Sequence, residues 1–227
     1  MDAWVAGATG LVGTALVEAL LAEPRVERVT TLVRRPSHRE HAKLAERLVD
    51  FESVEAVLAG ERASHVFCCL GTTIGKAGTR EAFRRVDHDY VLALARVARA
   101  AGAERFLLVT AMGANPNARI FYNQVKGEVE ADVGAVGLRQ LDIFRPSLLL
   151  GDRAEHRPGE RFATRLSGPL GKLMVGPLAK YRPITAEDVA RAMLRVALEP
   201  PPSATPRTSV YESDHIAALA RSSRGAA

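Results

Sequence analysis

A tyrosine and a lysine on one helical face are the residues of this sequence best suited to acid–base chemistry. In Tyr122-Asn-Gln-Val-Lys126 the phenol and the ammonium stand four positions apart within a segment of helical period, so they share a face. A phenol, with an ordinary pKa of about 10, needs help to exchange protons near neutrality, and a nearby ammonium favours the phenolate. Such a pair can protonate the oxygen of a carbonyl that receives a hydride at carbon. The alternative is an ordinary helix with an amphipathic tyrosine and a solvated lysine.

Two further polar residues are predicted near this pair. Thr110 ends an apolar run and carries a hydroxyl that could hydrogen-bond a substrate carbonyl, although it could equally be a half-buried strand threonine. Asp87 opens Val86-Asp-His-Asp-Tyr90, where it either faces the same cleft or is a helix-start carboxylate favoured by the helix dipole. The predicted catalytic residues are Tyr122, Lys126 and Thr110.

A glycine pattern near the amino terminus is placed to bind phosphate. Gly7-Ala-Thr-Gly10-Leu-Val-Gly13 lies where the first apolar strand meets the first amphipathic helix. Glycines let the backbone approach a pyrophosphate closely, and the helix start directs free N–H groups and its positive dipole at the anion. The alternative is that the glycines serve tight packing of strand on helix. We predict that a dinucleotide is bound by Gly7, Thr9, Gly10, Leu11, Val12 and Gly13.

The residues after the second predicted strand indicate which dinucleotide is bound. An acidic residue commonly stands there and binds the ribose diol of NAD, whereas this chain has Arg34 and Arg35. Guanidinium groups pair bidentately with phosphate, so we expect NADP(H) to be preferred over NAD(H). The alternative is two solvated surface arginines. Later strand ends offer weaker candidates for cofactor contacts, namely Asp50, Phe51, Leu70, Gly71, Thr72 and Thr73.

Repeated β-α units must bring these residues together. Apolar runs predict strands at 4–6, 29–33, 47–51, 65–70, 105–110, 140–145 and 209–211. Segments of helical period predict helices at 11–22, 80–101, 120–136, 185–198 and 214–220. This order predicts an α/β fold with a doubly wound, mostly parallel Rossmann sheet.

The length of 227 residues fits a single nucleotide-binding domain over 1–227. Glycines and prolines break the β-α pattern in 152–183, so we expect a loop-rich substrate cap there, with a short helix near 160–166. Residues 222–227 are expected to form a flexible tail.

The composition argues against several classes of protein. No run approaches the about 18 apolar residues that a membrane span needs, and no signal peptide is evident, so we expect a cytoplasmic protein without a membrane partner. The two cysteines, Cys68 and Cys69, are adjacent in an apolar run, which argues against disulfides or a zinc site. The net charge of +5 comes from arginines spread along the chain, so nucleic acid is not the expected partner.

Taken together, these motifs resemble a known family, the atypical short-chain dehydrogenases/reductases similar to the Tat-interacting-protein oxidoreductases and their bacterial relatives. The resemblance covers residues 3–198, with matching stretches at 7–13, 32–35, 69–73, 76–78, 86–91, 121–128 and 144–146. It implies catalytic positions at Tyr122 and Lys126. It also implies cofactor contacts at the glycine loop, Arg34, Arg35, Asp50, Gly71, Lys126 and the backbone of Pro146, Ser147 and Leu148.

One departure from the family pattern bears on turnover. Relatives carry a serine pair where this chain has Thr110-Ala111, so the usual hydroxyl is either supplied by Thr110 or absent. The family includes enzymes and also proteins whose bound dinucleotide serves regulation or partner binding. Our leading hypothesis is an NADPH-dependent reductase of a small carbonyl or quinone-like substrate. The alternatives are a non-catalytic NADPH sensor that presents 153–182 to a protein partner, and a basic nucleic-acid-associated protein.

Overall fold

The computed structural model describes residues 1–150, 180–200 and 205–222. Its strands are β1 (Asp2–Ala6), β2 (Arg28–Val33), β3 (Leu44–Leu48), β4 (His65–Cys68), β5 (Arg105–Val109), β6 (Gln140–Arg145), β7 (Leu149–Leu150), β8 (Ile184–Thr185) and β9 (Arg207–Glu212). Seven of them form one parallel sheet in the order β3-β2-β1-β4-β5-β6-β9, and β7 pairs with β8. The predicted doubly wound α/β sheet is confirmed.

The described helices are α1 (Leu11–Ala22), α2 (Val54–Val57), α3 (Ile74–Ala77), α4 (Arg80–Arg84), α5 (Tyr90–Ala100), α6 (Phe121–Ala135), α7 (Ala186–Ala197) and α8 (Ser213–Ser222). A π-helical turn, Arg85–Asp89, joins α4 to α5. The single long helix predicted over 80–101 is therefore interrupted, and the wider turn buries Asp87 and His88. At the start of α7, the hydroxyl of Thr185 accepts the N–H of Asp188 at 3.1 Å and so caps the helix.

Alternating strand residues feed two apolar layers, one on each face of the sheet. Val5 and Phe67 belong to the layer that contains α1, α7 and Ile216 of α8. Trp4 and Val66 belong to the opposite layer, with α5 and α6. Because both faces are covered, the central strands β4 and β5 are buried along their whole length.

The third strand lies earlier than predicted, at Leu44–Leu48 rather than 47–51. As an edge strand it is partly exposed and carries Glu46 and Arg47, so its sequence lacks the apolar run of a covered strand. The apolar residues Val49 and Phe51 follow the strand and pack into the core instead. The prediction mistook core packing for membership in the sheet.

Several predicted features lie wholly or partly outside the described residues. The cap prediction, 152–183, overlaps them only at 180–183, and the tail prediction, 222–227, only at Ser222. On either side of the gap, β7 and β8 pair in parallel, with Leu149 beside Ile184. Within the described ranges, no helix has the length and apolar character needed to cross a membrane.

Candidate functional site

A cleft of about 690 Å³ lies at the carboxyl ends of the strands, where β1 and β4 are neighbours and the strand order reverses. Chain segments that follow β1, β4 and β5 form one wall, and α6 and the start of α7 contribute to the rest. The lining includes Thr9, Gly10, Leu11, Val12, Thr14, Cys69, Leu70, Gly71, Thr72, Thr73, Lys76, Asp87, Val109, Thr110, Tyr122, Lys126, Leu149 and Glu187.

The three glycines of the loop after β1 have different roles. Gly7 has a φ of +78°, and a Cβ there would lie 2.4 Å from the carbonyl oxygen of Cys69. A Cβ on Gly13 would lie 2.1 Å from the carbonyl oxygen of Gly7. These two positions therefore serve close packing of the loop on β4 and α1. Gly10, by contrast, lines the cleft at the amino end of α1.

The amino end of α1 fits an anionic ligand. No side chain caps this end, and the first turn contains no acidic residue. The free N–H groups and the helix dipole of the first turn thus face the cleft segment lined by Gly10, Leu11 and Val12. Together with the tight approach at Gly7 and Gly13, this arrangement suits the diphosphate of a dinucleotide.

A buried ion pair also lines the cleft. The Lys126 ammonium lies 2.8 Å from Oδ1 of Asp87, and their side chains are 5% and 1% exposed. The second carboxylate oxygen of Asp87 accepts the backbone N–H of Thr72 at 2.8 Å. Burial lowers the pKa of Lys126, but Asp87 and then Tyr122 oppose this, and the net pKa is raised. Lys126 is therefore a charged group at neutral pH.

Tyr122 lies one helical turn before Lys126 and also lines the cleft. Its ring packs against Phe83 of α4, with the ring centroids 5.6 Å apart. The structure thus brings the predicted Tyr122 and Lys126 into one cleft with most of the glycine loop.

Thr110 lines the cleft, but its hydroxyl has an unexpected partner. The buried hydroxyl donates to Oε1 of Glu130 at 2.6 Å. Glu130 in turn accepts a bidentate pair of bonds from Arg145, with Nε at 3.0 Å and Nη2 at 2.5 Å. Because the single hydroxyl hydrogen points to Glu130, Thr110 offers lone pairs to the cleft. This geometry disfavours the predicted role of Thr110 as a donor to a substrate carbonyl.

Some predicted cofactor residues lie outside the cleft lining. Arg34 and Arg35 are exposed, directly after β2. The carboxylate of Asp50 accepts the N–H of Glu52 at 3.0 Å, and the buried Phe51 stacks on Tyr90.

The predicted segment after β6 supports neighbouring chain segments. The carbonyl of Pro146 accepts the N–H of Met112 at 2.9 Å. The Ser147 hydroxyl donates to the carbonyl of Arg182 and accepts from Ser213, while Leu148 is exposed. These contacts tie the segment to the loop after β5 and to α8.

Sequence reasoning missed one residue that positions α6. A Cβ on Gly127 would lie 2.1 Å from the carbonyl carbon of Asn115 and 2.2 Å from the nitrogen of Pro116. The N–H of Asn115 also donates to the carbonyl of Asn123 at 3.0 Å. The chain before α6 therefore lies directly against the helix beside Lys126. The available signal was the glycine in Lys126-Gly127-Glu128, inside a helix that otherwise disfavours glycine.

No metal centre is found in the parts of the chain that the structure describes. There, His, Cys, Asp and Glu side chains form no group of three able to hold an ion. Burial raises the pKa of the Cys68 thiol to about 12 and that of Cys69 further still, so both thiols are protonated at neutral pH.

Comparisons with known proteins agree with this geometry. A family model described as NAD(P)H-binding matches residues 7–141. Protein HTATIP2 of Rattus norvegicus is 37% identical over 87% of this chain and 81% of its own length. The mitochondrial protein FMP52 of Eremothecium gossypii is 34% identical over 97% of this chain and 98% of its own length.

Solved structures share the fold at low sequence identity. MoeE5 in complex with UDP-glucose and NAD has a TM-score of 0.66 and 18% identity, covering 99% of this chain and 82% of its own. The human epimerase family protein SDR39U1 with NADPH has a TM-score of 0.59 and 17% identity, covering 88% and 70%. Neighbours with either dinucleotide thus share this sheet.

The expected cytoplasmic location is contradicted by the relatives. The FMP52 proteins of Eremothecium gossypii, Emericella nidulans and Candida glabrata are all named as mitochondrial. The prediction of a cytoplasmic protein, which rested on finding no signal peptide or membrane span, is therefore wrong.

Proposed function

Since the chain belongs to the atypical short-chain dehydrogenases/reductases, as its motifs predicted, we propose that it is an NADP(H)-dependent reductase of a small carbonyl or quinone-like compound. The observation that carries this proposal is a single cleft that joins the uncapped amino end of α1 to Tyr122 and Lys126. A helix end suited to phosphate and a proton donor in one cleft meet two needs of hydride transfer from a dinucleotide to a carbonyl.

Different residues of the cleft would bind the cofactor and transfer the proton. The amino end of α1 would hold the diphosphate, and Lys126 would bind hydroxyls of the nicotinamide ribose. A bound reduced nicotinamide supplies the hydride. Tyr122 donates its hydroxyl proton to the carbonyl oxygen, and solvent then returns a proton to the phenolate.

The preference for NADP(H) rests on the position of two arginines. In the parallel register of β1 and β2, Ala6 pairs with Leu32, so the chain after Val33 emerges beside the glycine loop. Arg34 and Arg35 are exposed there and free to meet a 2′-phosphate on the adenine ribose. No carboxylate stands at this position to repel that phosphate or to bind the diol of NAD(H).

The experiment is a screen of small carbonyls and quinones for oxidation of NADPH, repeated with Tyr122→Phe. We expect the variant to lose about 10²- to 10⁴-fold in reduction rate while NADPH binding, measured by fluorescence titration, is retained. Tyr211→Phe is the matched control, because Tyr211 packs on Phe144 at the sheet and lies outside the cleft lining. Reduction that survives Tyr122→Phe unchanged would refute the role of the tyrosine.

A second candidate function is favoured by Thr110. Its hydroxyl hydrogen is directed at Glu130, so Thr110 offers no hydroxyl donor to the cleft beside Tyr122. This feature favours a non-catalytic NADPH sensor that acts through a protein partner. Tight NADPH binding without oxidation of NADPH by any compound in the screen would favour the sensor over the reductase.

A further inference from the structure

The buried carboxylate of Asp87 joins three parts of the cleft wall. It belongs to the π-helical turn, forms an ion pair with Lys126 of α6 and accepts the N–H of Thr72, which follows β4. A Cβ on Gly71 would lie 3.4 Å from Oδ1 of Asp87 and 3.8 Å from the Lys126 nitrogen. The backbone at Gly71 therefore packs directly against the buried pair.

The π-helical turn also fixes this pair against α6. The next residue, His88, places Nε2 2.8 Å from the Asp132 carboxylate, and its Nδ1 lies 2.8 Å from Asp89. Adjacent residues of the turn thus contact α6 at positions 126 and 132. Asp87 has little freedom to move away from Lys126, because its neighbour is held at a second point.

We propose that Asp87 is a positioning residue that holds Lys126 and offsets its charge, so that Tyr122 keeps its proton and can act as the acid in carbonyl reduction. This inference rests on the proposed function. A free ammonium beside a phenol favours the phenolate, which is the base that alcohol oxidation needs. An ammonium whose charge is offset by a carboxylate at 2.8 Å stabilises the phenolate much less. The protonated phenol is the acid that reduction needs.

The other groups around the pair do not replace Asp87. Lys126 faces Tyr122 on its own helix and the thiol of Cys68 on β4, which burial keeps protonated at neutral pH. The lining of the cleft also includes the carboxylates of Glu18 and Glu187 and the ammonium of Lys76. Among these, Asp87 is the carboxylate in direct contact with Lys126.

The test follows the ultraviolet absorbance of tyrosinate as pH rises, with the Tyr122→Phe spectrum subtracted to isolate Tyr122. This readout requires neither cofactor nor turnover. In Asp87→Asn, which keeps the size of the side chain, we expect the Tyr122 signal to appear about one pH unit or more below its position in the parent protein. The pH above which reduction declines should fall by a similar amount.

Two further variants keep the proposal falsifiable if Asp87→Asn does not fold. Asp87→Asn/Lys126→Met removes both charges, and its Tyr122 signal should stay close to that of the parent. Asp142→Asn breaks another buried pair, with Arg105 at 3.0 Å, and should leave the Tyr122 signal in place even if the protein is less stable.

The outcomes separate this inference from the proposed function. An unchanged Tyr122 signal in folded Asp87→Asn overturns the role of Asp87, as does a rise of about one pH unit or more in the double variant. A parent protein that reduces nothing overturns the proposed function, while the absorbance titration still measures whether Asp87 offsets Lys126.

Discussion

Single hydrogens and charges decide what the side chains of this cleft can do. Thr110 resembles a donor in sequence, yet its hydrogen is directed at Glu130, which Arg145 holds from the other side. Lys126 resembles a free cation, yet a carboxylate lies 2.8 Å from its nitrogen. In both cases the partner is distant in sequence, so spacing alone predicts the residue at the cleft but not its chemical state.

Coenzyme preference is also a property of individual residues. Replacing Arg34 and Arg35 together by alanine should weaken NADPH binding by about tenfold and leave NADH binding nearly unchanged, because only NADPH carries the 2′-phosphate. Fluorescence titration of both coenzymes measures the difference. Arg28→Ala is the matched control, since Arg28 is an exposed arginine at the opposite end of the same strand. Equal losses for the two coenzymes would refute the assignment.

At the scale of elements, α6 is the part that assembles the site. Tyr122, Lys126 and Glu130 follow one another at four-residue steps and reach the cleft or the end of β5. The helix can lie where it does because Gly127 admits the backbone of Asn115. The sequence predicted this helix and its shared face, since periodicity is a local signal. It did not predict the approach of the preceding chain, which is a tertiary contact.

The close approach at Gly127 predicts opposite effects for two glycine-to-alanine substitutions in α6. Gly127→Ala should destabilise the protein by about 1–3 kcal/mol, because the methyl would overlap the backbone at Asn115. Gly134→Ala meets no atom within 4 Å and should be neutral or stabilising by up to about 1 kcal/mol. Chemical denaturation measures both. If the two substitutions have the same effect, the preceding chain does not pack on α6 as described.

At the scale of the whole molecule, the sheet could be predicted because its central strands are apolar runs of strand length. The exception, β3, lies at the edge, where one side of the strand is open and the apolar signal fades. The π-helical turn escaped prediction for a different reason. Its extra residue breaks the 3.6-residue period only once within 80–101. The sequence could therefore place Asp87 in a helix, but it could not show that Asp87 forms an ion pair with Lys126.

At the end of the sheet opposite the cleft, a hydrogen bond joins a strand to a covering helix. There the neutral imidazole of His65, at the start of β4, donates from Nε2 to the carbonyl of Ala197 at the end of α7, 3.1 Å away. Burial lowers the pKa of His65 from 6.5 to about 4. The contact therefore belongs to the uncharged ring.

Acid should destabilise the folded protein through His65. Above pH 6.5 His65 is neutral in both the folded and the unfolded chain, so its lowered pKa costs nothing. Between pH 6.5 and about 4, His65 binds a proton in the unfolded chain but not in the folded protein, so the free energy of unfolding falls progressively. The loss approaches about 3 kcal/mol below that window.

Replacing His65 by glutamine removes the titrating group but keeps an N–H donor. Thermal unfolding at pH 7 and pH 5 should therefore show a smaller acid loss in His65→Gln than in the parent, whereas substituting the exposed His215 by glutamine should leave the loss unchanged. An acid loss as large in His65→Gln as in the parent would place the pH sensitivity elsewhere in the molecule.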